Sequence, residues 1–203
     1  MVMEQVHSGK PSTGDMDDIG MSILALIVHN EEKYQKPIGK TRLHKTFFLL
    51  SKELPHLESR LNYKPHNFGP HSDVLERSLD QLKCSNMVEE SIGGGYKNLH
   101  SMEQGRKMLA GVFDKIGSDV AILLPQINDF LYGMSHNEML AYVDLKHPEM
   151  AINSDKYHNF IKPQAFDFVL ALMEKGKITS QRGAELLGIR YTEMRKKMRE
   201  VEK

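Results

Sequence analysis

Apolar positions recur at helical spacing over most of this chain. Ile19, Ile23, Leu26 and Ile27 fall on one helical face behind Asp17 and Asp18, acids that suit the positive end of a helix. The pattern predicts a first helix ending near Glu32, before the break at Lys36-Pro37. Leu43, Phe47, Leu50 and Leu54 form the stripe of a second helix over 40–53, with Pro55 as its stop. Residues 62–68 are short and mixed, and Gly69-Pro70 reads as a turn. Leu75, Leu79 and Leu82 predict a third helix over 72–82. Residues 87–90 suit a strand, Gly93-Gly94-Gly95 a hairpin loop and 96–100 a returning strand. Ser101 with Gln104 has the spacing of a capping box for a helix from Met102. Three helices, a strand, a glycine loop, a strand and a helix follow the order of a winged helix, with the glycines at the wing tip.

Further helices extend this unit. Residues 119–130 are amphipathic with an expected bend at Pro125, and 135–146 carry a second capping box, Ser135 with Glu138. Met139, Leu140 and Val143 supply the inward stripe there, and His147-Pro148 closes it. Residues 151–162 are weakly patterned and read as a linker. Pro163 then opens a helix with Phe166, Val169, Leu170 and Met173 inward, ended by Lys175-Gly176. Thr179 or Ser180 caps a short helix over 181–187, Gly188 makes a tight turn, and Thr192 is expected to cap a last helix reaching about Val201. Tyr191, Met194, Met198 and Val201 form its apolar stripe; Arg195, Lys196, Lys197 and Arg199 stay outside. Ala184 inside the first of these helices, Gly188 at the turn and Ile189 after it complete a helix-turn-helix pattern. The expected fold is mainly α: a flexible tail over 1–16, a winged helix with helical extension over 17–150, the linker over 151–162 and a basic helix-turn-helix over 163–203.

Composition narrows the function classes. Of 203 residues, 27 are Lys or Arg and 27 are Asp or Glu, so total charge points to no partner and only its distribution informs. A single cysteine, Cys84, excludes an internal disulfide framework and is expected to be a buried, inert thiol. No apolar run approaches the roughly 18 residues of a membrane span, and the early apolar stretch lacks a basic flank and cleavage site. These features predict a cytoplasmic protein without membrane contact.

Several short motifs carry a resemblance. Lys40-Thr41-Arg42-Leu43-His44-Lys45-Thr46-Phe47-Phe48-Leu49-Leu50, then Phe68-Gly69-Pro70-His71-Ser72, and later Glu138-Met139-Leu140-Ala141-Tyr142-Val143 with His147-Pro148-Glu149-Met150, resemble the YwgA-like proteins and the related SocA-type antitoxin (Panacea) domain. The likeness covers about Gly20 to Asp155, with His71 and His147 standing where the family pattern has aromatic residues. Gly176-Lys177-Ile178-Thr179 and Ala184-Glu185-Leu186-Leu187-Gly188-Ile189 are similar to a small antitoxin-like helix-turn-helix family. Both resemblances imply a regulatory or antitoxin-type role, and neither implies an enzyme.

Charge distribution points to nucleic acid. From Lys175 to Lys203 there are nine basic and four acidic residues, a net of +5 in a chain that is neutral overall. Basic charge gathered on one recognition-type helix is the footprint of a phosphate binder. Arg182, Arg190, Thr192, Arg195, Lys196 and Arg199 are the expected DNA-contacting residues. The third helix of the winged unit instead carries Asp73, Glu76 and Asp80 against Arg77 and Lys83, and an acidic face is repelled by phosphate. That unit is expected to receive a protein partner, toxin-like, or a second copy of the chain in a homodimer. The alternative reading is an interaction adaptor whose C-terminal helices mediate dimerisation or docking. Gly39-Lys40-Thr41 lacks the earlier glycine of a P-loop, because Tyr34 stands there. Of the ten histidines, His66 and His71 lie five apart around the Gly-Pro turn, but the others show no ligand-like spacing and there is no cysteine pair, so neither metal nor cofactor is expected. No triad or carboxylate pair suggests catalysis.

Overall fold

The computed structural model describes residues 17–112 and 116–201; the expected tail over 1–16 lies outside the described residues. The protein is mainly helical with small antiparallel sheets. Helix α1 (Asp18–Tyr34) starts at Asp17, whose carboxylate accepts the Gly20 N–H, and its Ile23, Leu24, Leu26 and Ile27 are buried. Strand β1 (Ile38–Gly39) has too short a pattern to be legible in sequence. Helix α2 (Lys40–Glu53) runs through the centre with Leu43, Phe47, Phe48 and Leu50 buried. Pro55 does not merely end it. It opens α3 (Pro55–Leu61) at the first helical position, where its missing N–H costs nothing.

Residues 62–71 correct the expected turn. Strands β2 (Lys64–His66) and β3 (Gly69–His71) pair as a small hairpin with Pro65 opposite Pro70, and the reversal falls two residues earlier, at Asn67-Phe68. Gly69 sits in the strand at φ +82°, because a side chain there would strike the Lys45 and Asp144 heads. Ser72 caps α4 (Asp73–Cys84) through the Leu75 N–H. Strands β4 (Val88–Gly93) and β5 (Tyr96–Ser101) form the expected hairpin, with Gly94 and Gly95 both at positive φ, as a tight two-residue turn requires. Strand β5 lies between β1 and β4 in an antiparallel sheet of order β1-β5-β4.

The Ser101 capping box is not made. Glu31 of α1 captures the Ser101 N–H and hydroxyl, and α5 (Glu103–Val112) starts beyond them. Helix α6 (Ser118–Leu131) continues through Pro125 as one α-helix. Val120, Leu124, Asn128 and Leu131, all buried on one face, hold its turns against the core across the proline. The capping box of α7 (His136–Lys146) is present in both directions between Ser135 and Glu138.

Residues 151–162, read as a linker, are packed. A 3-10 turn (Pro148–Met150) leads to a π-helical turn (Tyr157–Ile161), and Ala151, Tyr157 and Ile161 bury against Leu140 and Ala141. Within the π-helical turn only Tyr157 and Ile161, four apart, carry this contact, too short a repeat to register as amphipathic. Helices α8 (Ala165–Glu174), α9 (Ser180–Leu187) and α10 (Tyr191–Val201) close the chain. Val169, Leu172, Ala184, Leu186 and Met194 share one apolar cluster with Phe48, Leu131 and Met139. The last three helices are thus joined to the central helix through a common core. No described helix is long and apolar enough to cross a membrane.

Candidate functional site

The C-terminal surface is built by a short turn. Thr179 caps α9 through the Arg182 N–H, and Gly188, at φ +65°, ends it in the left-handed conformation. Helix α10 then starts at Tyr191, one residue before the expected Thr192 cap, so Thr192 belongs to its exposed first turn. Met194 is fully buried and anchors the inner face. Thr192, Arg195, Lys196 and Arg199 follow at three- and four-residue steps, all exposed, and together with Glu200 line one shallow hollow. Arg190 is exposed in the turn just before them. Among the described residues no carboxylate pairs with Arg190, Arg195, Lys196 or Arg199; the ion pairs of the last three helices are Lys175 with Glu138 and Arg182 with Glu185.

Tyr191 and Cys84 depart from expectation, while Arg182 and exposed Lys197 each have a contact of their own. Arg182 stands apart on α9, paired with Glu185 at 2.6 Å. Its charge is held up by that carboxylate first of all, with Tyr142 contributing. Lys197 faces back onto the Phe166 ring at 5.6 Å and ties α10 to α8. Tyr191, expected to pack, is half exposed, its hydroxyl 3.5 Å from Ser180 Oγ. Cys84 is likewise exposed, because it lies past the Leu82 face at the end of α4.

Two buried polar clusters lie under the Phe68-Gly69-Pro70-His71-Ser72 segment. Lys45, 1% exposed, donates to the Phe68 carbonyl at 2.9 Å and sits 3.9 Å from Asp144, which is also buried. Burial pulls Lys45 down to about 8 and pushes Asp144 up to about 6, each opposed by the other's charge. The second cluster joins three elements. His44 of α2, His71 of β3 and Glu76 of α4 place donor atoms within 4.8 Å of one another, the only such group among the described residues. Lys40 lies 2.7 Å from Glu76 Oε2, and His44 Nε2 lies 2.9 Å from Oε1. The His44 nitrogen is misaligned for a hydrogen bond despite that separation, and it remains buried without a hydrogen-bond partner. Burial lowers the His44 proton affinity, against the pull of Glu76. Burial alone would raise Glu76, but His44 and Lys40 outweigh it and hold the carboxyl at about 2. Sequence spacing could not reveal this trio, because its members come from three elements and only the fold joins them.

No known protein family and no curated protein matches this chain.

Proposed function

We propose that this protein is a DNA-binding regulator, transcriptional or antitoxin-like, whose C-terminal helix-turn-helix lays α10 against the duplex. The observation that carries the reading is the exposed row of Arg195, Lys196 and Arg199 beside Thr192, with none of the three cations in an ion pair among the described residues although Glu200 borders the row, opposite a face locked by buried Met194. Residues near the start of a recognition helix reach base edges, which gives Thr192 and Arg195 that role. Lys196 and Arg199, further along, take phosphates, as does Arg190 before the helix. Arg182 contributes less, because Glu185 already holds it.

The N-terminal half is read as a winged helix. The sheet order β1-β5-β4 and the glycine-tipped hairpin after α4 support this, and the resemblance to the YwgA-like and SocA-type proteins agrees with it. A protein partner for this half is favoured by the wing itself. Ile92 and Tyr96 are both exposed near its tip, and Lys97, the cation opposite Ile92, is already held by Glu90 at 2.9 Å, which leaves less free positive charge than a DNA-reading wing would carry.

Fluorescence anisotropy of the full chain with duplex DNA across a salt series tests the first reading. Affinity is expected to fall linearly with log salt, and replacing Arg195, Lys196 and Arg199 by Ala to reduce the slope by about 2–3. An unchanged slope on a folded variant overturns it.

A further inference from the structure

We propose that His44, His71 and Glu76 form a binding site for a single divalent transition cation, of the zinc class, that clamps α2, β3 and α4 together. Two imidazoles and one carboxylate are a donor set that zinc accepts, with a further position left for water. The three donor atoms lie within 4.8 Å of one another. Ligands about 2.0–2.1 Å from one zinc ion stand about 3.4 Å apart, so the trio closes onto a metal by small side-chain rotations. His71 and Glu76 can supply these rotations, since each keeps a quarter to a third of its side chain exposed, although Glu76 must give up its Lys40 contact to do so.

Three further observations point to a ligand. His44 is 7% exposed and presents a buried ring nitrogen 2.9 Å from the Glu76 carboxylate but without a hydrogen-bond partner, with the His71 ring stacked 5.7 Å away. A buried polar atom without a partner is costly, and a metal bond would satisfy it. Asp73 lies 3.2 Å from His71 Nε2, the outer carboxylate that commonly orients a ligating histidine. The partly exposed side gives the ion an entry path. Lys40 marks the same position from the other direction, because its ammonium already sits on Glu76 as the charge the carboxylate calls for. A bound dication competes with that ammonium. The site therefore binds more weakly with Lys40 present than without it, which a mere structural ion pair does not predict.

Titration calorimetry of the metal-free full chain with zinc, and visible absorption with cobalt as a spectroscopic stand-in, test the site. One ion per chain is expected, with a cobalt spectrum of nitrogen and oxygen ligands and no thiolate band. His71→Ala and Glu76→Gln should each weaken binding about tenfold or more. Lys40→Met should tighten it. Cys84→Ser should leave it unchanged, which separates the site from the exposed thiol. Zinc should raise the melting temperature of the native protein and not of His71→Ala. Absence of saturable binding, a thiolate band lost in Cys84→Ser, or equal affinity in the native and both ligand variants overturns the proposal. His71 and Glu76 are both partly exposed, so two independent variants keep the fold while removing a ligand.

Discussion

The Lys45–Asp144 pair shows what burial does to a single contact. The ammonium lies 3.9 Å from Asp144 Oδ1, which has no hydrogen bond, so attraction is present but the carboxylate stays poorly solvated. Asp144 is raised, so its contribution to stability is complete below its ordinary range near 3.8 and is lost as pH rises through about 6. Lys45 is lowered, so its contribution is complete above 10.5 and is lost as pH falls through about 8. Between about pH 6 and 8 both losses act, and both groups are charged. Replacing the pair by Lys45→Met with Asp144→Leu should therefore stabilise the fold by about 1–4 kcal/mol in that window. The gain, measured by denaturant unfolding at several pH values, should shrink at pH 4. Lys45→Met alone should destabilise, and more at pH 8 than at pH 5, where Asp144 takes up a proton. A pH-independent difference would contradict the assignment. In the sequence Lys45 reads as one of several basic residues on α2, since only the fold shows that Asp144, a hundred residues on, lies over it.

At the scale of elements, long stripes were legible and short contacts were not. Helices α1, α2 and α4 fall within a residue or two of their predicted bounds, because each repeats its apolar spacing over several turns. The Gly-rich hairpin was equally clear, since consecutive positive-φ residues leave few alternatives. Strand β1 and the packed turn around Tyr157 carry too few residues to form a pattern. Ser101 satisfied a capping rule, yet Glu31 reached it first through tertiary structure. The same tertiary tightness governs the join of α8 and α9. A Cβ added at Gly183 would lie 2.8 Å from Val169 Cγ1 and 3.1 Å from Met173 Sδ. Gly183→Ala should thus destabilise by about 1–3 kcal/mol in spite of its better helix propensity. Thermal unfolding checks this; a rise in melting temperature would show that the two helices are less closely packed.

For the whole molecule, the C-terminal helices are not an appendage. Val169, Leu172 and Met194 share their core with Phe48 and Leu131, so a chain ending at Lys162 would expose that core to water. Such a truncation should aggregate or lose cooperative unfolding, visible by size-exclusion chromatography and circular dichroism. A well-folded monomer would mean the two halves are independent. The expected boundary at 151–162 came from weak patterning, which says little once Ala151, Tyr157 and Ile161 are seen to pack. The basic face of α10 was legible in the sequence as a charge count, but its separation from Arg182 and Lys197 needed the fold.

Because truncation would damage the core, the division of labour between the two halves is best tested by charge reversal on the intact chain. Anisotropy with duplex DNA would compare Arg195→Glu with Lys196→Glu and Arg199→Glu against Asp73→Lys with Asp80→Lys on exposed positions of α4, each at low and moderate salt. Reversal on α10 should abolish salt-dependent binding, while reversal on α4 should leave it unchanged or raise it non-specifically. Binding that survives on a folded α10 variant, or a large loss from the α4 variant, would contradict the account and move the DNA-reading surface to the N-terminal half.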